Sequence, residues 1–230
     1  MNNISLSGCK LIEIPYLIEV LHTKELEKIL IIGERSGDEG VSFGVLKKSL
    51  PSNEIVLNDL FDVAPNSFVD NLLKERENTK FIRGDFTNID FGTKFDYIVC
   101  INVLEHFGMC WNTYDDIIHW NKDIEALKKM LSITNKRIIL TVPAGPPIFY
   151  GDCLSNGLPF LKRYDKQRID IIRSLVKENG FKFVHDFYFY SNDLTNWVKL
   201  DNNSDFFNEN FSQYQRNSPN CLWLTCIDKE

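Results

Sequence analysis

Long apolar runs and a basic N-terminal start are both missing from the sequence. The chain begins MNNISLSGCK, in which no basic residues lead into an apolar segment. No apolar run approaches the roughly 18 residues that a membrane-spanning helix requires. We therefore expect neither a signal peptide nor a membrane span, and we predict a cytoplasmic protein with no membrane partner.

Cysteine patterns typical of metal sites are missing as well. No Cys-x-x-Cys pair occurs with a histidine at metal-ligand spacing, and the chain has only four histidines. Scattered cysteines of this kind are typical of reduced thiols in a cytoplasmic protein. We therefore expect no metal site. The six cysteines are Cys9, Cys100, Cys110, Cys153, Cys221 and Cys226.

Concentrated basic charge is the third absence. The chain has 26 lysine and arginine residues against 32 aspartate and glutamate residues, so its formal net charge is -6, and its pI is near 5.3. The basic residues are scattered along the chain and form no stripe. Binding to nucleic-acid phosphates is therefore disfavoured, and we expect no nucleic-acid partner.

Apolar and aromatic residues, by contrast, are plentiful. Hydrophobic residues make up 43% of the 230 residues, and 17 residues are phenylalanine. A chain of this length can form one full-sized domain whose core covers both faces of a sheet. Short runs rich in Ile, Val and Phe alternate with segments of helical period, which is typical of β-α-β units. We therefore predict a single doubly wound, Rossmann-like α/β domain with a mostly parallel sheet.

The pattern predicts seven strands and five helices. The strands are Lys28–Gly33, Glu54–Asn58, Lys80–Arg83, Phe95–Ile101, Lys136–Val142, Phe181–Tyr190 and Leu222–Ile227. The helices are Ile14–His22, Glu39–Leu50, Asn66–Glu77, Trp120–Leu131 and Asp165–Asn179, and the first of them belongs to an N-terminal helical cap at residues 1–26.

Two long irregular segments separate predicted elements. Residues 143–160 are rich in proline and glycine, and residues 201–219 are rich in asparagine and serine. The first follows the fifth predicted strand and the second separates the last two. We expect both to overhang the carboxyl ends of the strands as lids, because α/β proteins bind ligands there.

A glycine-punctuated turn follows the first strand. The sequence from Ile29 to Gly40 reads as a buried strand, a turn that contains Gly33 and Gly37, and then a helix. Glycine allows a ligand to approach the backbone closely. About 20 residues further on, the second strand is followed by Asp59, whose carboxylate can accept ribose hydroxyls beside the turn. An ordinary strand-to-helix turn is the alternative interpretation.

Two further strands end in polar residues. The segment Phe81 to Phe86 is a strand that ends in Asp85 followed by an aromatic ring, and this pair could bind an adenine amino group and cover the base. The segment Phe95 to Phe107 is a buried strand that leads into Asn102 and a Leu-Glu-His turn.

Taken together, these four elements resemble the class I S-adenosylmethionine-dependent methyltransferases. The similarity covers roughly Glu27 to Pro143 and continues more loosely through residues 163–165 and 179–181. The resemblance implies a seven-stranded sheet whose last strand is inserted antiparallel, so that residues 181–227 form a hairpin. It also implies S-adenosylmethionine as cofactor, S-adenosylhomocysteine as product, and methyl transfer to oxygen or nitrogen of a small-molecule acceptor.

The resemblance also implies which residues would hold the cofactor. The turn after the first strand would line its methionine part. The residues after the second and third strands would contact the ribose and the adenine, and the residue after the fourth strand would contact the cofactor through its own backbone. They are Gly33, Glu34 and Gly37 for the methionine part, Asp59 for the ribose, Leu60, Asp85 and Phe86 for the adenine, and Asn102 through its backbone.

Two positions depart from the family's pattern. Ile31 stands where the family usually has an acid, and Arg35 stands where it usually has a second glycine. Glu34 could substitute in part for the acid, whereas Arg35 could narrow the path for the sulfonium. These departures leave open a binding or partner protein that keeps the fold without the activity. A nicotinamide-dependent oxidoreductase is a further alternative, because it shares the glycine turn and the following acid.

The acceptor side of the site depends on residues of the later segments. An acceptor hydroxyl or amine must lose a proton, and His106 is the candidate general base because histidine titrates near neutrality. A structural role is the alternative for His106. Tyr150, Asp152 and Arg163 lie in or after the proline-rich segment and could contact the acceptor, or they could be solvated loop residues. The sequence leaves the oligomeric state open.

Overall fold

The structure, a computed structural model, describes residues 8–35, 40–109, 118–145, 149–150, 161–191, 195–200 and 221–230. Within these ranges no helix is long and apolar enough to cross a membrane. The helices are α1 (Lys10–Val20), α2 (Val41–Lys48), α3 (Phe68–Glu75), α4 (Lys122–Ile133) and α5 (Lys166–Glu178), with one 3-10 turn at Leu104–His106. The strands are β1 (Lys28–Ile32), β2 (Glu54–Asp59), β3 (Thr79–Arg83), β4 (Phe95–Ile101), β5 (Thr134–Pro143), β6 (Phe149–Tyr150), β7 (Leu161–Lys162), β8 (Phe181–Tyr190), β9 (Val198–Leu200) and β10 (Cys221–Lys229).

Eight of these strands form one sheet in the order β3-β2-β1-β4-β5-β10-β8-β9. Neighbouring strands from β3 to β5 are parallel. β10, the last strand in sequence, lies between β5 and β8 and is antiparallel to both. The strand order reverses between β1 and β4, and this switch point places the turns that follow these two strands side by side. We call this end of the sheet, where β1, β2, β4 and β5 finish, the carboxyl edge.

All seven predicted strands are present, and so is the antiparallel pair that the resemblance implies. β8 and β10 pair along their whole lengths, with an irregularity between Cys226 and Ile227. The sheet has one strand more than the predicted seven, because β9 pairs with the outer edge of β8. β9 has only three residues, of which Val198 and Lys199 are exposed. A strand this short carries no alternation of buried and exposed positions that a sequence pattern could show.

The five predicted helices are present, and their ends differ from the predicted ends by four residues or fewer. α3 begins after Ser67, whose side chain accepts a hydrogen bond from Asp70 N at 3.1 Å. α5 begins after Asp165, whose carboxylate accepts a hydrogen bond from Arg168 N at 2.7 Å. Such caps satisfy N–H groups that have no partner inside the helix. The largest difference is at α1, which begins four residues before the predicted start at Ile14.

Both faces of the sheet are covered, as the apolar strands predict. In β1, Leu30 and Ile32 belong to the core layer formed with α4 and α5. Ile29 and Ile31 belong to the opposite layer, formed with α1, α2 and α3. Because successive side chains of a strand point to opposite faces, burial of both faces makes β1 a continuous apolar run. The side chain of Ile31 therefore packs in an apolar layer and does not face the turn after β1.

The two predicted lid segments fall largely outside the described residues. Of residues 143–160, the structure describes 143–145 and the backbone of 149–150, and residues 201–219 lie outside it. The described part of the first segment is bonded to the sheet, since Ala144 N donates to Cys221 O and Gly145 N donates to Tyr164 O, both at 2.9 Å. The role of these segments as lids stays a prediction.

Candidate functional site

The turn after β1 leaves no room for a side chain at Gly33. This residue has a φ of 78°, which favours glycine, and its N–H donates to Asn58 O at 2.7 Å. A Cβ atom at this position would lie 2.3 Å from Val103 Cγ2. The turn after β1 therefore packs directly against the Val103 side chain of the turn after β4, and Gly33 itself is exposed at the carboxyl edge.

Glu34, which follows in the same turn, is directed towards α2. The residue is buried, and its Oε2 accepts a hydrogen bond from Ser42 N at 3.2 Å. Ser42 lies in the first turn of α2, where the helix dipole favours a carboxylate. The side chain thus stabilises the start of α2, and its contact with the methionine part of a cofactor stays a prediction. Gly37 lies outside the described residues.

Arg35, at the position of the family's second glycine, is exposed. Its guanidinium carbon lies 5.0 Å from the centroid of the Phe61 ring, a distance typical of a cation–π contact. Its carbonyl accepts a hydrogen bond from Ala64 N at 3.2 Å. The Arg35 side chain is thus directed towards the loop that follows β2.

Asp59 ends β2, as predicted, next to the residue that bonds the Gly33 turn. Its Oδ1 accepts a hydrogen bond from Phe61 N at 2.9 Å, and its carbonyl accepts one from Gly84 N at 2.8 Å. Asp59 and Leu60 are both half-buried. One carboxylate oxygen is thus bonded to the loop after β2, and the contact of Asp59 with ribose hydroxyls stays a prediction.

Asn58 is a residue of this edge to which sequence reasoning gave no role. Its buried Nδ2 group donates to Ile82 O at 2.9 Å and to Gly84 O at 3.1 Å. Its carbonyl accepts the hydrogen bond from Gly33. Asn58 therefore connects the ends of β1, β2 and β3, and the signal that could have identified it is a buried amide at the end of an apolar strand.

Asp85, predicted to bind the adenine amino group, already accepts four hydrogen bonds. Lys122 Nζ and Asn88 Nδ2 donate to Oδ2 at 2.6 and 3.3 Å, and Thr87 donates to Oδ1 from its N and Oγ1 at 2.9 and 2.7 Å. Burial raises the pKa of this carboxyl, but the hydrogen bonds from Lys122 and Thr87 outweigh burial and lower it. An adenine amino group would have to displace one of these donors.

Phe86, predicted to cover the adenine, is only 2% exposed. Its ring packs against the rings of Phe91 and Phe107, with centroids 5.8 and 6.1 Å away. Lys129 Nζ lies 5.2 Å from the same ring. The ring therefore belongs to the core and offers almost no surface to a base, so a contact from this residue would have to come from its backbone.

Asn102 follows β4 in a conformation that few non-glycine residues adopt, with a φ of 53°. Its N–H is shared between the carbonyl and the Oγ1 atom of Thr141, each at 3.1 Å. Its Oδ1 atom is buried and accepts no hydrogen bond from the described residues. Backbone strain and an unsatisfied acceptor at one position are typical of a ligand site.

Solved structures of methyltransferases share this arrangement of strands and turns, although the sequence matches no protein-family model and no curated protein. The fold is similar to that of 1,6-didemethyltoxoflavin-N1-methyltransferase from Burkholderia thailandensis, solved with 1,6-didemethyltoxoflavin and S-adenosylhomocysteine. The two chains share 13% identity with a TM-score of 0.58, and the match covers 95% of this chain and 78% of that chain. It is also similar to magnesium protoporphyrin IX methyltransferase from Synechocystis, solved with S-adenosylhomocysteine, with 12% identity, a TM-score of 0.52 and coverage of 94% and 80%. A candidate RNA methyltransferase from Pyrococcus horikoshii matches with 12% identity, a TM-score of 0.53 and coverage of 94% and 81%. The chain has the class I methyltransferase fold.

In this methyltransferase fold, the 3-10 turn places His106 next to a buried acid. His106 is half-buried, and its Nε2 lies 4.0 Å from Glu105 Oε1. Glu105 is itself buried. The geometry is therefore compatible with a general base, and this role of His106 stays a prediction.

Arg163, one of the predicted acceptor contacts, is only 7% exposed and so differs from a solvated loop residue. The next residue, Tyr164, donates from its N–H to Pro143 O at 2.9 Å, which places Arg163 at the end of β5. The backbone of Tyr150 pairs with Leu161 in the two-stranded ladder of β6 and β7. Asp152 lies outside the described residues.

Asp123 organises a buried ionic network beside Arg163 that sequence reasoning missed. The carboxylate is buried and receives Lys162 Nζ at 2.9 Å, Tyr164 Oη at 2.8 Å and Arg168 Nε at 3.2 Å. Lys162 also donates to Phe107 O at 3.3 Å. This network attaches β7 to α4 and α5. No local pattern could have shown it, because its members lie on separate elements.

Proposed function

We propose that the protein is an S-adenosylmethionine-dependent methyltransferase that acts on oxygen or nitrogen of a small-molecule acceptor. The observation that carries this proposal is Gly33, an exposed residue without a side chain and with a φ of 78°, at the switch point of the sheet. Beside it lie the Asp59 carboxylate and the unsatisfied Oδ1 atom of Asn102. A bare backbone, an acceptor for ribose hydroxyls and a buried acceptor fit an adenosyl cofactor.

The residues of this chain would bind and orient the reactants. Bound S-adenosylmethionine supplies a methyl group on a sulfonium, and the neutral thioether that remains is a good leaving group. Asp59 would accept the ribose hydroxyls, and the backbones of Gly33 and Asn102 would lie against the cofactor. Orientation of two reactants contributes up to about 7 to 11 kcal/mol in well-aligned cases. The acceptor's proton would pass to His106, which lies beside the buried Glu105.

A small molecule is the acceptor class that charge and chemistry favour. The net charge of -6 opposes binding to nucleic-acid phosphates. Two of the three similar structures above are enzymes named for small-molecule acceptors. Arg163, whose neighbour Tyr164 is bonded to the end of β5, would be one contact for this acceptor.

A second candidate function is a binding protein that keeps the fold without catalysis. Asp85 and Phe86 favour it, because the carboxylate is occupied by four donors and the ring is buried in the core. An adenine site with neither residue available would bind the cofactor weakly or in a different way. Cofactor affinity alone does not separate the two functions, so turnover has to be measured as well.

Calorimetry and product release together test the proposal. The purified protein is titrated with S-adenosylmethionine and S-adenosylhomocysteine, and mass spectrometry identifies any cofactor that co-purifies. Release of S-adenosylhomocysteine is then measured with a panel of phenols, carboxylic acids and amines. We expect micromolar binding and turnover with at least one acceptor. Binding without turnover on the whole panel would favour the second candidate, and the absence of binding would refute both the cofactor and the activity.

A further inference from the structure

Glu13 of α1 is a carboxylate without solvent exposure (0%) at the carboxyl edge. Its Oε1 accepts a hydrogen bond from Thr141 Oγ1 at 2.6 Å, and its Oε2 lies 3.1 Å from Lys10 Nζ. α1 runs across one face of the sheet, because its last residue, Val20, accepts a hydrogen bond from Arg137 near the start of β5. The first turn of α1 therefore lies over the end of the sheet where the candidate site is. A carboxylate is costly to bury without partners, so its position here requires an explanation.

Thr141 connects this carboxylate to the turn after β4. Its hydroxyl donates to Glu13 Oε1 and accepts from Asn102 N at 3.1 Å. Because the carboxylate can only accept, it determines where the hydroxyl proton points and leaves a lone pair for the Asn102 N–H. A single hydroxyl group thus separates the negative charge of Glu13 from the strained backbone of Asn102.

Two carboxylates act on the start of α1. Burial is the main cause that raises the pKa of the Cys9 thiol, just before α1, to about 12, and the charges of Glu13 and Glu105 act in the same direction. Lys10 acts in the opposite direction and does not cancel them. Glu105 belongs to the turn after β4, so negative charge from two separate elements reaches the same place. A cationic ligand is favoured in such a field.

We propose that Glu13 is a positioning residue for a cationic cofactor: through Thr141 it holds the Asn102 turn, and its charge favours the sulfonium of S-adenosylmethionine. This inference rests on the proposed function, since it places that cofactor at the carboxyl edge. S-adenosylmethionine carries a positive charge on sulfur, and S-adenosylhomocysteine has a neutral thioether there. The charge of Glu13 therefore increases the affinity for the first ligand more than for the second.

Calorimetry with both ligands separates this charge effect from a loss of structure. In Glu13→Gln the amide oxygen still accepts from Thr141, but the negative charge is gone. We expect the affinity for S-adenosylmethionine to fall about three- to tenfold, as Coulomb's law gives for a carboxylate roughly 10 Å from the sulfonium. The affinity for S-adenosylhomocysteine, which carries no charge on sulfur, should fall less than about twofold.

Glu27→Gln is the matched control. Glu27 is also a buried carboxylate and pairs with a lysine, Lys136, but it lies just before β1, at the opposite edge of the sheet. We expect this variant to leave the ratio of the two affinities unchanged. Thr141→Val removes the linking hydroxyl and keeps Glu13. This variant should weaken the binding of both ligands by a similar factor.

Each outcome of this experiment decides a separate point. Glu13→Gln binding both ligands more weakly by the same factor would overturn the inference and leave the proposed function standing. A wild-type protein that binds neither ligand would overturn the proposed function and the inference with it. Thermal unfolding shows whether Glu13→Gln is folded. If it is not, Thr141→Val decides, because a folded Thr141→Val that binds both ligands as the wild type does would overturn the positioning role.

Discussion

At the scale of the residue, Gly33 and Asn102 hold conformations that most residues avoid. Their φ angles are 78° and 53°. A left-handed conformation costs roughly 1–2 kcal/mol for a residue with a Cβ atom, although asparagine tolerates it better than most. Glycine does not carry this cost, so the strain at this place belongs to Asn102. It is offset by the hydrogen bonds from Asn102 N to Thr141 and by the packing of Val103 against Gly33.

Gly33→Ala should destabilise the protein more than a glycine substitution that brings only strain. The Cβ atom would lie 2.3 Å from Val103 Cγ2, and overpacking of this kind costs about 1–3 kcal/mol beyond the backbone term. Gly92→Ala is the control, because Gly92 has a similar φ of 62° and no atom within 4 Å of the added Cβ. Free energies of unfolding from denaturant titration give the comparison. If both variants lose the same free energy of unfolding, the Val103 side chain moves aside without measurable cost.

Asp59→Ala should weaken the binding of S-adenosylhomocysteine about tenfold or more, because a hydrogen bond to a charged acceptor contributes roughly 1.5–3 kcal/mol. Asp62→Ala is the control, since Asp62 lies in the same loop but is exposed and pairs with Arg83 at 2.7 Å. Calorimetry of the two variants measures the difference. If both bind the ligand as the wild type does, Asp59 does not contact the ribose.

At the scale of the element, α4 is attached to the end of β3 by two lysines. Lys122 pairs with Asp85 at 2.6 Å, and Lys129 donates to Thr87 O at 3.2 Å while lying over the Phe86 ring. The two lysines are two helical turns apart and so share one face of α4. The loop after β3 is therefore held by the helix, which explains why two predicted adenine contacts are engaged within the protein.

Lys122→Met should lower the free energy of unfolding by about 1 kcal/mol at neutral pH, since the ion pair is partly solvent-exposed. The pKa of Asp85 is lowered in the folded protein. Its stabilising contribution is therefore present above the unfolded pKa and is lost as the pH falls through the folded pKa. We expect wild type and variant to converge in stability in acid, as measured by urea titration across pH. Lys128→Met, on the exposed face of α4, should show no such dependence.

At the scale of the whole molecule, the last strand in sequence, β10, lies inside the sheet and not at its edge. β10 pairs with β5 on one side and with β8 on the other, and the residues from Cys221 to Ile227 are all buried. Arg137 of β5 holds the end of β10 through Asp228, with hydrogen bonds of 2.6 and 2.7 Å. Among the strands that the structure describes, β8 and β9 therefore join the rest of the sheet only through β10.

A chain that ends at Asn220 should not fold cooperatively. Without β10, the apolar edges of β5 and β8 would lose their ladders and would be exposed to water. A chain that ends at Lys229 is the control, because it lacks only Glu230 and keeps the strand. Far-UV circular dichroism with thermal unfolding distinguishes the two chains. A cooperative transition in the shorter chain would show that β8 can dock on the sheet without β10.

The sequence by itself determined the α/β class, the seven main strands and the positions of Gly33, Asp59 and Asn102 at strand ends. These follow from local patterns, since apolar runs, helical periods and turn residues are properties of neighbouring positions. Parallel strands with a switch in order then bring their carboxyl ends together, and this topology made the edge predictable.

Only the tertiary structure decided which of these side chains are available to a ligand. Phe86 is buried by Phe107, Asp85 is engaged by Lys122, and Glu13 reaches Asn102 through Thr141. In each case the two partners lie on different elements, and their contact depends on how α1 and α4 pack on the sheet. The charge and burial of a side chain are set by neighbours that are distant along the chain, and no local pattern contains them.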